Sequence, residues 1–86
     1  MHEMSVVQNL ISLLRSVCEK EKASKVISIE MTINNYSCLD EGNLNFMFSC
    51  LMAEDPMLKH AKIKVKRSER MQEREYIVEN VEIEVE

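Results

Sequence analysis

The sequence predicts an α+β fold: a three-stranded mixed β-sheet with two α-helices packed on one face, in the order helix, strand, helix, strand, strand. Two segments carry apolar residues at helical spacing, and three segments alternate apolar and polar residues with a period of two. Because a helix separates the first two strands, we expect them to run parallel through a right-handed crossover. The 86 residues are enough for one domain, residues 1–86.

The first helix is predicted to begin at Val6, because Ser5 and Gln8 have the spacing of a capping box. The polar run 19–22 is expected to end it. Its apolar residues share one helical face: Val7, Leu10, Ile11, Leu14, Val17 and Cys18.

The first strand is predicted over residues 26–34, where the apolar period changes to two. Its buried face is expected to carry Ile27, Ile29, Met31 and Ile33. A turn is expected to follow at residues 34–35, because Asn tolerates left-handed backbone.

The second helix is predicted from Asp40 to Ala53, beginning near Asp40 or Asn43 and ending before Pro56. Its expected core residues are Leu44, Met47, Phe48 and Leu51. Further apolar residues widen this face: Phe46, Cys50 and Met52. They indicate either a partner-binding surface or a deeply seated helix, and we favour the deeply seated helix.

The last two strands have polar faces of opposite charge, lysine over residues 61–66 and glutamate over residues 81–86. Because opposite charges stabilise neighbouring strands, we expect these two to pair antiparallel, with Lys64 near Glu82 and Lys62 near Glu84. Residues 68–75 form the connector between them and contain no Gly, Pro or Asn to make a tight turn. If the connector cannot turn tightly, the last strand can pair with a second copy and give a strand-exchanged homodimer.

Composition excludes several classes of function. A net charge of −4 and the absence of Trp disfavour nucleic-acid binding. No apolar run reaches the roughly 20 residues of a membrane span, and no signal peptide is evident, so we expect a cytoplasmic protein. Three cysteines without a C-x-x-C pair predict free, mostly buried thiols, with neither a disulfide framework nor a zinc site.

Candidate chemistry is confined to the N-terminus. The sequence has no nucleophilic triad, phosphate loop or H-E-x-x-H motif, so an enzyme is not expected and no catalytic residue is assigned. The amine of Met1, the amide nitrogen of His2 and its imidazole can close two chelate rings on one metal. Such a planar nitrogen set favours Ni(II) or Cu(II), and Glu3 could add a ligand or a supporting contact. Because the amine and imidazole must be unprotonated, binding should weaken below about pH 6.5. His60 is expected to be an exposed residue without a metal role.

The sequence resembles the HypA family of hydrogenase nickel-incorporation proteins. Residues 1–6, Met-His-Glu-Met-Ser-Val, are similar to the family's M-H-E-x-S start. Residues 33–37 are similar to its I-G-E-L-S block, and residues 44–48 to its L-x-F-x-F helix. Residues 74–77 and 81–86 resemble its closing strand, which commonly ends I-E-V-E.

This resemblance implies a nickel metallochaperone for nickel-iron hydrogenase and, in some organisms, urease. It implies that His2 is the essential nickel ligand, with Met1 and Glu3 beside it, and that a nickel-handling GTPase and the hydrogenase large subunit are partners. Asn34 and Asn35 depart from the family's Gly and Glu.

A larger departure lies in the connector, where the family carries a zinc module with two C-x-x-C pairs and this chain has residues 69–73. The chain resembles a nickel domain whose zinc module has been lost, naturally or by engineering, so zinc is not expected. The alternatives to a nickel chaperone are a protein–protein interaction module of the same fold and an engineered fragment without metal delivery.

Overall fold

The structure is a computed structural model that describes residues 3–70 and 76–86. The elements are α1 (Glu3–Glu21), β1 (Ala23–Asn34), α2 (Glu41–Leu51), β2 (Lys62–Ser68) and β3 (Tyr76–Val85). Their order confirms the predicted α+β fold. Within the predicted connector, Ser68 is the last residue of β2. Residues 71–75 of that connector lie outside the described residues.

Helix α1 begins earlier than predicted. It starts at Glu3, so Ser5 lies inside the helix, and the predicted capping box and start at Val6 are wrong. The earlier start has a tertiary cause, because the Glu3 carboxylate is hydrogen-bonded to the backbone at the beginning of α2. The polar run ends the helix as predicted: α1 stops at Glu21, and Lys22 has a left-handed φ of 55°.

The sheet has the order β2-β1-β3. Strands β1 and β2 are parallel, as predicted, with Ser28 opposite Lys62, whereas β3 runs antiparallel to β1. The prediction that β2 and β3 are neighbours is therefore wrong, since β1 separates them. Among the strands of the described residues, β1 alone is buried on both faces, with Ile29 at 0% and Ser28 at 2% exposure, which is the burial expected of a central strand.

The charge complementarity that suggested the wrong pairing is met through β1 instead. Lys64 lies opposite Glu30 of β1, and Lys62 lies opposite Ser28, not beside Glu84. Lys25 of β1 forms an ion pair with Glu84 of β3, with 3.7 Å between Nζ and Oε2. Both partners are exposed, so this pair contributes little to stability.

A bulge in β1 changes which residues face the core. Val26 and Ile29 are fully buried, but Ile27 is 37% exposed, so its predicted place on the buried face is wrong. The β1–β3 register shifts between Val26 and Ser28, which places Ile27 at the irregularity and interrupts the alternation. The prediction for Met31 and Ile33 is confirmed.

One hydrophobic cluster joins both helices to the same face of the sheet. The largest fully buried side chains are Phe48, Leu10, Leu14, Ile29, Met31, Ile33, Leu39, Leu44, Leu58, Val6, Val7 and Val26.

Helix α2 is less deeply seated than predicted. It ends at Leu51, not Ala53, and Leu51 is 45% exposed. Phe46 is 69% exposed and Cys50 is also exposed, while Met52 is buried. The helix packs through Leu44 and Phe48, and the predicted core residue Met47 is partly buried against the same cluster.

Helix α2 also covers the outer edge of β2. The Asn45 side chain donates to the Ile63 carbonyl and accepts from the Ile63 N–H, both at 2.8 Å. The Glu41 carboxylate accepts from the Val65 N–H at 2.7 Å. These side chains pair backbone groups that an edge strand otherwise leaves unpaired, so they block strand addition at this edge.

Replacing Asn45 by Ala should therefore destabilise the fold. The substitution leaves the partly buried N–H and C=O of Ile63 without their partner, so the free energy of unfolding should fall by roughly 1–3 kcal/mol. Chemical denaturation of Asn45→Ala measures this change. Ser49→Ala on the exposed side of the same helix is the control and should change stability by about 0.5 kcal/mol or less. Equal stability of the two variants would contradict the role of Asn45.

Candidate functional site

Only part of the predicted nickel site lies in the described structure. Met1 and His2 are outside the described residues, while Glu3 is the first residue of α1 and is half-buried. Met1 and His2 directly precede Glu3 in the chain. The surroundings of Glu3 therefore define where the donors of the first two residues are attached to the fold.

The Glu3 carboxylate is hydrogen-bonded to the N-terminal end of α2. Its Oε2 accepts from the Asp40 N–H at 2.9 Å, and its Oε1 accepts from Asn43 Nδ2 at 3.5 Å. A negative charge is favourable at a helix N-terminus, because unpaired N–H groups and the helix dipole meet it there. Glu3 thus joins the start of α1 to the start of α2.

Asp40 is the N-cap of α2, as its predicted place at the helix start implied. Its backbone is extended, with φ −125° and ψ 127°, and its Oδ2 accepts from the Asn43 N–H at 2.9 Å. Gly42 leaves room for this carboxylate, since a Cβ there would lie 3.1 Å from Oδ2. Asp40 therefore contributes both the N–H that binds Glu3 and the carboxylate that caps α2.

The loop that leads from β1 to Asp40 is ordered by short-range hydrogen bonds. Asn34 Oδ1 accepts from the Tyr36 N–H at 2.8 Å, and Ser37 Oγ accepts from the Leu39 N–H at 3.1 Å. Leu39 is 1% exposed and anchors the loop in the core. Both ends of the segment between β1 and α2 are thereby held in place.

Sequence reasoning did not place Asp40 and Asn43 beside Glu3. Both were predicted near the start of the second helix, but no local signal connects that start with Glu3, 37 positions before Asp40. The contact arises because both helices pack on the same sheet face.

The other predicted features are distributed over the fold. His60 is exposed, in agreement with the sequence prediction. Within residues 3–70 and 76–86, no group of three or more His, Cys, Asp or Glu side chains is arranged to hold a metal. In that same part of the chain, no helix is long and apolar enough to cross a membrane.

The three cysteines are free, but they are not mostly buried as predicted. Cys18 is buried, whereas Cys38 and Cys50 are exposed. Burial raises the pKa of the Cys18 thiol, and the nearby Asp55 carboxylate raises it further, against a smaller opposing effect of Arg15. Cys18 lies on the core face of α1, so its thiol acts as a packing group.

Comparison with known proteins identifies the family of this chain. The family model that matches residues 1–84 is described as hydrogenase/urease nickel incorporation, metallochaperone, HypA. The chain belongs to the HypA family.

Curated relatives agree with this assignment. The chain is 30% identical over 63 residues to the hydrogenase maturation factor HypA of Actinobacillus succinogenes, a match that spans 73% of the chain and 55% of that protein. It is 30% identical over 67 residues to the HypA of Dehalococcoides mccartyi, covering 78% of the chain and 56% of that protein. The chain thus spans about half the length of these relatives.

A solved structure shares the fold. The solution structure of the Ni metallochaperone HypA from Helicobacter pylori superposes with a TM-score of 0.80 at 20% identity, with 100% of both chains covered. This likeness confirms the predicted arrangement of two helices and a three-stranded sheet.

The cysteine environments predict selective thiol labelling. At neutral pH, Cys38 and Cys50 should react rapidly with a thiol reagent such as iodoacetamide, because both are exposed. Cys18 should react slowly until the protein is unfolded, since its thiol is buried and its pKa is raised. Mass spectrometry of timed samples counts the labelled sites, with urea-unfolded protein as the control. Three equally fast sites in folded protein would contradict the packing of α1.

Proposed function

We propose that this chain is a nickel-binding metallochaperone domain that delivers Ni(II) during maturation of nickel-iron hydrogenase, with urease as a second possible recipient in line with the family. The observation that carries the proposal is the match of the family model to residues 1–84. The local chemistry supports it, since the M-H-E start supplies nitrogen donors next to a carboxylate fixed on the fold.

The proposed nickel ligands are nitrogen atoms of the first two residues. The Met1 amine, the His2 amide nitrogen and the His2 imidazole form adjacent chelate rings, a set that suits tetragonal Ni(II). His2 is joined by one peptide bond to Glu3, whose carboxylate is hydrogen-bonded to the start of α2. We propose that this attachment presents the bound cargo at the ends of α1 and α2.

Glu3 can supply an oxygen ligand, but its contacts favour an anchoring role. Each of its oxygens already accepts one hydrogen bond, from Asp40 and Asn43. A carboxylate offers about four acceptor positions, so a metal contact could be added without breaking both bonds. The neighbouring Asp40 carboxylate is a further oxygen donor at the same end of the molecule.

The proposed partners are the nickel-handling GTPase and the hydrogenase large subunit, in the cytoplasm. Zinc is not proposed as a bound metal, because the chain has no C-x-x-C pair. A strand-exchanged homodimer stays a proposal that light scattering across micromolar concentrations can test.

A protein–protein interaction module is the second candidate function. The 69% exposure of Phe46 favours it, because this large apolar side chain lies on the outer side of α2. In that case α2 would bind a maturation partner while the N-terminus had no metal role.

The nickel proposal predicts stoichiometric binding that depends on His2. Calorimetric titration of protein with a verified free Met1 amine should give about one Ni(II) per chain, because each chain carries one such set of three nitrogen donors. His2→Ala or acetylation of the amine should abolish this binding. His60→Ala is the matched control and should bind as the unmodified protein does, since His60 is exposed and the proposal gives it no metal role. Equal weak binding in all samples would refute the N-terminal site.

Phe46→Glu distinguishes the two candidate functions. Phe46 is 69% exposed, so the variant should fold normally and keep its nickel titration. If α2 is a docking surface, binding to the nickel-handling GTPase in a pull-down should fall sharply, because a charge replaces the exposed apolar side chain. Ser49→Glu on the same helix is the control for added charge. Retained binding in both variants would exclude Phe46 from the partner surface.

A further inference from the structure

Arg67 near the end of β2 is hydrogen-bonded to the loop that precedes α2. Its Nη1 donates to the carbonyls of Asn35 and Ser37, both at 3.1 Å, and to that of Asn34 at 3.5 Å. Its Nη2 donates to the Leu39 carbonyl at 2.9 Å. One guanidinium thus meets four carbonyl groups of residues 34–39, which a planar, multiply donating group can do.

The contact with Leu39 continues to Glu3 through a single peptide group. The carbonyl of the Leu39–Asp40 peptide accepts from Arg67, and the N–H of the same peptide donates to Glu3 Oε2 at 2.9 Å. A positive guanidinium on the carbonyl side and a carboxylate on the N–H side polarise the peptide in the same sense. Both hydrogen bonds are charge-assisted and strengthen each other.

We propose that Arg67 is a positioning residue for Glu3, acting through the Leu39–Asp40 peptide group. The side chain fixes the plane of that peptide, so its N–H points at the carboxylate next to His2. The inference rests on the proposed function for its effect on nickel, but the positioning itself is independent of any metal.

The proposal requires the fork of the guanidinium and not only its charge. An ammonium at this position is a point charge that cannot reproduce the same set of parallel N–H donors. Arg67→Lys should therefore not form the same hydrogen bonds to the loop carbonyls. Lys66→Gln on the same strand is a matched control, because it removes a charge without touching the loop.

The Asp40 amide reports the positioning directly by NMR. In Arg67→Gln, its proton resonance should move upfield and its hydrogen-exchange protection should drop about five- to tenfold, the loss expected for one such hydrogen bond. Arg67→Lys should behave similarly, and Lys66→Gln should match the parent protein. Unchanged Asp40 signals in Arg67→Gln would overturn the proposal.

A double-mutant cycle with Glu3 separates positioning from general loop support. In a Glu3→Gln background, Arg67→Gln should cause little further change at the Asp40 amide, because the Glu3 carboxylate that accepts from this amide is already absent. Fully additive changes would show that Arg67 only stabilises the loop and would refute its action on Glu3 through the Leu39–Asp40 peptide.

Nickel affinity provides the functional readout of the same cycle. Arg67→Gln should weaken Ni(II) binding several-fold in the parent background and leave it unchanged beside Glu3→Gln. Equal weakening in both backgrounds would overturn the proposed action through Glu3. If no variant or parent bound nickel, the proposed function would fail, while the Asp40 amide measurements would still decide the positioning role.

Discussion

The central position of β1 is the constraint on which the rest of the structure depends. This strand pairs on both sides, and it is buried on both faces: Ile29 and Ile33 face the helices at 0% exposure, and Ser28 lies on the opposite face at 2%. Because a buried backbone must pair its polar groups, β2 and β3 have to lie along its two edges. The end of β1 then leads into the loop that places Asp40 beside Glu3.

The two edges of the sheet are treated differently. Along β2, the side chains of Asn45 and Glu41 pair with backbone groups of the strand, so α2 acts both as the crossover and as an edge cover. Along β3, residues 81–84 alternate between partly buried apolar side chains and exposed glutamates, so one side of the strand faces the core and the other faces solvent. The lysines of β2 and the glutamates of β3 are separated by β1, which offers Glu30 opposite Lys64. The charge pattern is therefore compatible with β1 as the central strand.

The sequence permits the prediction of whatever depends on local periodicity. The element order, the parallel β1–β2 pair and the helix start at Asp40 follow from residue spacing, and the structure confirms them. Strand order does not follow, because lysine and glutamate strands are compatible both with direct pairing and with a strand between them. The exposure of Ile27 depends on a bulge, and the early start of α1 depends on a contact 37 residues away. In the candidate site, Glu3 was predicted, while its link to Asp40 required the tertiary fold.

The contacts of Glu3 show how the proposed nickel-binding end is attached to the part of the HypA fold that precedes the connector. The chain spans about half the length of the curated relatives, yet the described contacts of Glu3 come from Asp40 and Asn43. The hydrogen bond that orients the Leu39–Asp40 peptide comes from Arg67, before the connector in which the family resemblance places a zinc module. In the described part of the chain, the hydrogen bonds of the carboxylate thus come from residues that precede the connector. A change in the connector would have two routes to this end of the molecule: Arg67 near the end of β2, and Tyr76 at the start of β3, whose hydroxyl accepts from Asn9 of α1 at 3.2 Å.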